Sequence, residues 1–68
     1  MRIRYYILNG TVLHETTAAV LLKLDGNEHW LPKSKLSEDS RHVIDNAVRD
    51  DEVEIEVEDR FAKERGLA

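Results

Sequence analysis

Glu52-Val53-Glu54-Ile55-Glu56-Val57-Glu58 alternates without a break, and alternation is the side-chain period of a β-strand. Val53, Ile55 and Val57 share one face and the glutamates share the other. Residues 51–58 therefore read as a half-buried strand with a solvated acidic face, the pattern of an antiparallel sheet that covers a core on one side only.

The rest of the chain supplies partners for that strand. Residues 2–8 (Arg-Ile-Arg-Tyr-Tyr-Ile-Leu) are rich in β-branched and aromatic side chains and predict a strand, with Arg2, Arg4 and Tyr6 on one face and Ile3 and Tyr5 on the other. Asn9-Gly10 is a strong turn signal, so residues 11–15 are expected to pair back as a short strand. Thr16-Thr17 makes a bend, and residues 17–24 form the clearest strand after the acidic one. Its Val20, Leu22 and Leu24 share one face while Ala19, Leu21 and Lys23 share the other, which suits a central strand or one covered on its second side. Asp25-Gly26 then turns the chain, with two registers open. A two-residue loop sets Lys23 opposite Glu28 and Leu21 opposite Trp30; a three-residue loop sets Lys23 opposite His29 and Leu22 opposite Trp30. The charge pair favours the first by only about a few tenths of a kcal/mol. The strand beginning at Glu28 must end, or run along a sheet edge, at Pro32, which has no N–H for a ladder.

Residues 37–49 read as a loop. Val43, Ile44, Ala47 and Val48 also fit a helical stripe with Ser40 as cap, and Val43-Ile44 fits a short strand. After the acidic strand, Asp59 is expected to cap a short helix in which Phe61 and Ala62 make apolar contact. Gly66 is placed as a left-handed stop, and Leu67 folds back in a Schellman turn. The fold class is mainly β with one short C-terminal helix: a small, strongly bent antiparallel sheet, or an SH3-like or OB-like partly open barrel, in a single domain over residues 1–68.

A chain of 68 residues builds a core near the lower limit for independent folding, and with no cysteine it has neither disulfides nor thiolate zinc sites to assist it. His14, His29 and His42 show no paired metal-ligand spacing, so no cofactor or metal is expected and homo-oligomerisation becomes the expected source of added stability. Arg2 and Arg4 interrupt the place of a signal-peptide core, and the longest apolar run, Ala18 to Leu22, is too short for a membrane span. The expectation is a soluble cytoplasmic protein with no membrane partner. Charge is unevenly placed: the stretch from Asp45 to Asp59 holds eight acids against Arg49 alone, between two weakly basic flanks. A basic footprint for nucleic acid is missing at the level of the whole domain.

Two groups of residues are candidate sites. Trp30, Lys33, Ser34 and Lys35 could form an aromatic-plus-cation patch in which the ring stacks on a base and ammonium groups meet phosphates. The heavier weight goes to Trp30 as a core residue with both lysines merely solvated, because a domain with four aromatics would lose much by exposing its largest. Glu52, Glu54, Glu56 and Glu58 could form a protein-interaction ridge, since side chains on one strand face recur every ~6.6–6.8 Å, close to phosphate spacing along a strand. The plainer reading is a solvated face whose like charges discourage aggregation. His14 beside Glu15, and Ser34 or Ser40 near His42, contain ingredients of general-base chemistry. No nucleophile elbow, phosphate loop or metal pattern organises them, so no catalytic residues are assigned and no enzymatic activity is expected.

Taken together, His14-Glu15-Thr16-Thr17-Ala18-Ala19-Val20-Leu21-Leu22, Asp25-Gly26, Trp30-Leu31-Pro32-Lys33-Ser34 and Phe61-Ala62-Lys63-Glu64-Arg65-Gly66-Leu67 carry a resemblance. The chain resembles a diffuse set of small bacteriophage and prophage accessory proteins. These share a strand, an acidic-glycine turn, a tryptophan–aliphatic–Pro-Lys-Ser element and a final helix ending in Gly-Leu. A Gly-Asp commonly precedes the last strand in that set, where this chain has Asp50-Asp51. The resemblance implies a viral accessory role in the host cytoplasm. The expected function is non-catalytic: binding and sequestering a host component, either a host defence protein or a nucleotide-like immune signal. A single-stranded nucleic-acid-binding accessory of phage DNA metabolism is the alternative, opposed by the charge distribution, and a structural or assembly protein is a third.

Overall fold

The computed structural model describes residues 2–68. Strands β1 (Tyr5–Glu15), β2 (Ala19–Leu24), β3 (Asn27–Pro32) and β4 (Glu52–Glu58) form one antiparallel sheet in the order β3-β2-β1-β4. A single 3₁₀ turn (Lys33–Lys35) and helix α1 (Glu38–Asp45) connect β3 to β4, and helix α2 (Asp59–Glu64) follows β4. The fold is mainly β, as the alternation demands, and the sheet does not close into a barrel. It is nevertheless strongly bent: Leu36, just past one sheet edge, forms a β-bridge with Val57 at the other edge.

Asn9-Gly10 does not turn the chain. β1 runs straight through it, pairing with β4 from Tyr5↔Glu58 to Thr11↔Glu52, and the expected strands at residues 2–8 and 11–15 are one strand beginning at Tyr5. Gly10 serves close approach instead. A Cβ there would lie 2.5 Å from Leu24 Cδ2 and 3.0 Å from the Lys23 carbonyl oxygen, so the end of β2 can press against β1 only where no side chain intervenes. Nearer its C-terminus β1 carries a bulge between Val12 and His14 in its pairing with β2. The extra residue puts His14 beside Leu21 on the outer face and Glu15 at the rim of the core face beside Val20.

The β2–β3 turn takes the two-residue register, with Lys23 opposite Glu28 and Leu21 opposite Trp30. Asp25 (φ 50°) and Gly26 (φ 84°) both adopt the left-handed conformation of a hairpin turn whose twist matches its strands. Val20, Leu22 and Leu24 point into the core as their alternation predicts, and β2 is indeed an interior strand of the sheet. They meet Leu31, Ile55, Val57 and Ile44, all nearly or wholly excluded from solvent.

Residues 37–49 hold a helix rather than the expected loop, and its cap is Ser37, not Ser40. Ser37 Oγ accepts the Ser40 N–H at 3.2 Å, while Glu38 and Asp39 sit favourably in the first turn. Eight residues are too few to persist alone. The helix is held by its contact with β4: Glu56 N–H donates to Ser40 Oγ (2.7 Å), Ser37 N–H donates to the Glu56 carbonyl (3.0 Å), and Ile44 is fully buried. Only Ile44 and, partly, Ala47 of the proposed stripe reach the core; Val43 and Val48 stay exposed. These bonds also occupy the outer edge of β4, which would otherwise be an open strand edge.

α2 ends as its sequence predicts. Leu67 N–H bonds to the Ala62 carbonyl (2.8 Å), Gly66 N–H bonds to that of Lys63 (3.1 Å), and Gly66 has φ 70°, a Schellman stop with Leu67 packed on the core. Its start differs. Glu58 occupies the cap position without a side-chain bond, because β4 leads directly into the helix. Asp59 lies inside the first turn, its N–H bonded to the Arg4 carbonyl (2.8 Å) and its carboxylate to Lys63 (2.9 Å).

Asp50, before β4, takes φ 74°. A left-handed residue with a Cβ is strained, although aspartate tolerates it better than most. Asp50→Gly is therefore expected to raise stability by about 0.5–1 kcal/mol and Asp50→Val to lower it by about 1–2 kcal/mol. Chemical denaturation midpoints at constant slope test both, and equal midpoints for the two variants would contradict the strain.

Candidate functional site

The candidate surface is the sheet face turned away from the core. Strand pairing orders it in rows. Trp30, Leu21 and His14 cross β3, β2 and β1; Glu28, Lys23, Thr11 and Glu52 cross all four strands. Asn9 with Glu54, Ile7 with Glu56 and Tyr5 with Glu58 continue the surface on β1 and β4.

Trp30 belongs to this face, which corrects the expectation that it is a core residue. It is 48% exposed, and its ring meets the His14 ring edge-on at 6.1 Å between centroids. The two-residue register decides this: Trp30 lies opposite outward-facing Leu21, and the neighbouring Leu31 takes the inward position at 1% exposure.

Lys33, Ser34 and Lys35 follow in the 3₁₀ turn but do not assemble around the ring as an array of free cations. The Lys33 ammonium is bonded to the Glu15 carboxylate and to Asp45 Oδ1 (3.1 Å), with only 14% of its side chain exposed. The hydrogen bond that Lys33 donates to Glu15 raises the Lys33 pKa above the usual lysine range, against a lowering by burial, and Asp45 adds to the rise. The bond from Lys33 in turn lowers the Asp45 pKa. Lys33 thus pins β1, the turn after β3, and the end of α1 together, and two carboxylates outweigh its charge. Ser34 is exposed, and the Lys35 Nζ stands 3.9 Å from Glu58 Oε1.

The four glutamates do line one face of β4, but their surroundings differ. Glu52 and Glu54 are exposed, whereas Glu56 and Glu58 are half-buried. Ser37, in the segment passing along β4, donates from Oγ to Glu56 Oε1 (2.9 Å), and Lys35 stands beside Glu58. The ridge is therefore free at its N-terminal half and partly tied at its C-terminal half. Beside it stand exposed Tyr5 (39%) and Ile7 (54%), with Ile3 (57%) just before the strand. Between the ridge and the β2–β3 turn lies an open cleft of about 650 Å³, lined by Asn9, Thr11, Lys23, Asp25, Glu52 and Glu54 among others. Three acids against one lysine make it negative.

Sequence reasoning missed the Lys33 cluster and the apolar strip of Ile3, Tyr5 and Ile7. The first joins residues 12 and 18 positions apart, which no local pattern reveals. The second was legible as exposed only once β1 was known to continue past Gly10.

Ser40 Oγ, one ingredient of the hydroxyl–histidine grouping, is buried and engaged with Ser37 and the Glu56 N–H. Among the described residues no group of three or more His, Cys, Asp or Glu is placed to hold a metal ion, and no helix is long and apolar enough to cross a membrane. No protein-family model, curated protein or solved structure matches the chain.

Proposed function

We propose that this chain is a non-catalytic binding protein whose outer sheet face captures a basic protein partner. The observation that carries the reading is the juxtaposition on β1 and β4 of exposed Tyr5 and Ile7 with the row Glu52 to Glu58. Apolar anchors beside aligned charges of one sign suit a protein surface that offers lysines and arginines around a small apolar patch. The resemblance to small phage proteins supplies the context: a host component, with a defence protein as the first candidate, in the host cytoplasm.

A second reading, a nucleotide-like signal stacked on Trp30, is favoured by the exposure of that ring and its edge contact with His14. It ranks lower because Lys33, the nearest strong cation in sequence, is already neutralised by Glu15 and Asp45. Single-stranded nucleic acid ranks lower again, since the cleft and ridge repel phosphates.

Glu52 and Glu54 are exposed, so reversing both charges is expected to alter stability by less than about 0.5 kcal/mol. The immobilised protein is expected to retain basic proteins from a bacterial lysate at low salt and to release them as salt rises. Glu52→Lys with Glu54→Lys should retain none of them, while Trp30→Ala retains the same set. Intact-complex mass spectrometry reads the bound species. Retention unchanged by the charge reversal, or a nucleotide mass that disappears in Trp30→Ala, would replace the first reading by the second.

A further inference from the structure

Asn9-Gly10 is a turn motif that the fold runs straight through, and the same pair of residues carries a chemistry of its own. Asparagine is thermolabile, most of all before glycine, where no Cβ shields the next nitrogen and the backbone rotates freely. The Gly10 nitrogen gives up its proton to water and attacks Asn9 Cγ. The side-chain nitrogen takes up a proton and leaves as ammonia, and a succinimide ring remains. Water opens that ring at either carbonyl, giving aspartate, or isoaspartate in which the main chain runs through the side-chain carbon. Asn27 and Asn46, the other asparagines, precede Glu28 and Ala47, whose side chains hinder the attack.

The Asn9 side chain is exposed to water, so the backbone decides whether the ring closes. Asn9 lies inside the ladder that pairs β1 with β4 from Tyr5 to Thr11. Two bonds flanking that ladder fix its phase: Asp59 N–H to the Arg4 carbonyl and Val12 N–H to the Asp51 carbonyl, both 2.8 Å. Alternation then directs the Gly10 N–H at the carbonyl of its register partner Val53, so the attacking nitrogen is occupied. Ring closure also requires the Asn9 ψ to leave the extended value of about +135°. β2 packs too closely for the strand to rotate in place, since a Cβ on Gly10 would lie 3.0 Å from the Lys23 carbonyl oxygen. Freeing the Gly10 nitrogen means parting β1 from β4, whose Ile55 and Val57 are wholly buried, so the opening that permits the reaction is loss of the core.

We infer that Asn9-Gly10 is a deamidation site which the β1–β4 ladder holds closed and unfolding opens, and that its isoaspartyl product cannot rejoin the sheet. Isoaspartate adds one carbon to the main chain inside the ladder. The pairs on its two sides then no longer share one register with β4, and Leu8 and Val12, buried on either side of it, no longer seat together in the core. Folded chains keep Asn9 intact, while chains that unfold are withdrawn from the folded pool one by one. No partner is needed for this, so purified protein tests it whatever the outer face binds.

The full chain is incubated in mildly alkaline buffer with and without denaturing urea, and the deamidated fraction is read by mass spectrometry of the peptide holding residue 9. A synthetic peptide of residues 5–15 in both buffers corrects for the effect of urea on the chemistry. Asp25-Gly26 isomerises through the same ring without losing ammonia, and its unchanged mass tells it apart. Folded protein should deamidate at Asn9 at least about tenfold more slowly than unfolded protein, with Leu31→Ala in between in the absence of urea. Asn9→Gln, whose longer side chain closes the ring poorly, should all but stop the reaction in both states. Once urea is diluted out, chains carrying isoaspartate at position 9, separated by chromatography, should stay unfolded by circular dichroism. Asn9→Asp, with the same charge and no extra main-chain carbon, should refold. Equal rates in folded and unfolded protein, no reaction in either, or full refolding of the isoaspartyl chains overturns the proposal.

Discussion

Leu31→Ala is expected to lower the unfolding free energy by about 2–5 kcal/mol, while Trp30→Ala beside it changes it by less than about 1 kcal/mol. The larger side chain matters less because the pleat turns it outward. Leu31 is 1% exposed in a cluster with Val20, Leu22 and Ile44, and its loss leaves a cavity among side chains that cannot collapse into it. Trp30 gives up an edge contact with His14 and part of its cover over Leu21, most of which water can replace. A domain of this length has a total stability of only about 3–10 kcal/mol, so the Leu31 variant should be partly unfolded at room temperature. Urea denaturation followed by fluorescence serves Leu31→Ala, and circular dichroism serves Trp30→Ala, which lacks the reporter. Comparable losses in the two variants would mean that the β2–β3 register is shifted by one residue.

Gly10→Val is expected to cost about 1–3 kcal/mol, although valine is among the best strand formers and glycine among the worst. Strand propensity alone predicts the opposite sign. The cost comes from Leu24 and the Lys23 carbonyl, which would lie 2.5 Å and 3.0 Å from the added Cβ. The leucine methyl can rotate away, but the carbonyl belongs to the strand backbone and can move only by loosening the β1–β2 pairing. Leu24→Ala in the same chain should therefore recover part of the loss but not all of it. A neutral or stabilising Gly10→Val, measured by thermal unfolding, would show that β2 does not approach β1 as closely as the structure has it.

These two positions also show where local reading succeeds and where it stops. Asn9-Gly10 carries a strong hairpin signal, yet β1 continues because β4 offers a full partner strand over Tyr5 to Thr11 and β2 needs a gap beside Gly10. Trp30 is hydrophobic by type, yet its face follows from a hairpin register that a weak charge pair alone could not settle. α1 was hidden for a related reason. Its persistence depends on Ile44 and on hydroxyls bonded to the β4 backbone, neither of which shows in a short polar stretch.

Features that depend on neighbours within a few residues are legible in the chain alone. The inward face of β4, the inward face of β2, the turn at Asp25-Gly26 and the Schellman stop at Gly66-Leu67 all follow from the strand period or from backbone conformations that particular residue types favour. Whatever depends on which strands are adjacent comes from long-range packing instead. That packing leaves Trp30 outside, binds Lys33 to Glu15 and Asp45, half-covers Glu56 and Glu58, and leaves Tyr5 and Ile7 exposed. Periodicity fixes which face of a strand a side chain shares with its neighbours in sequence. Only packing across residues far apart in the chain fixes what, if anything, lies over that face.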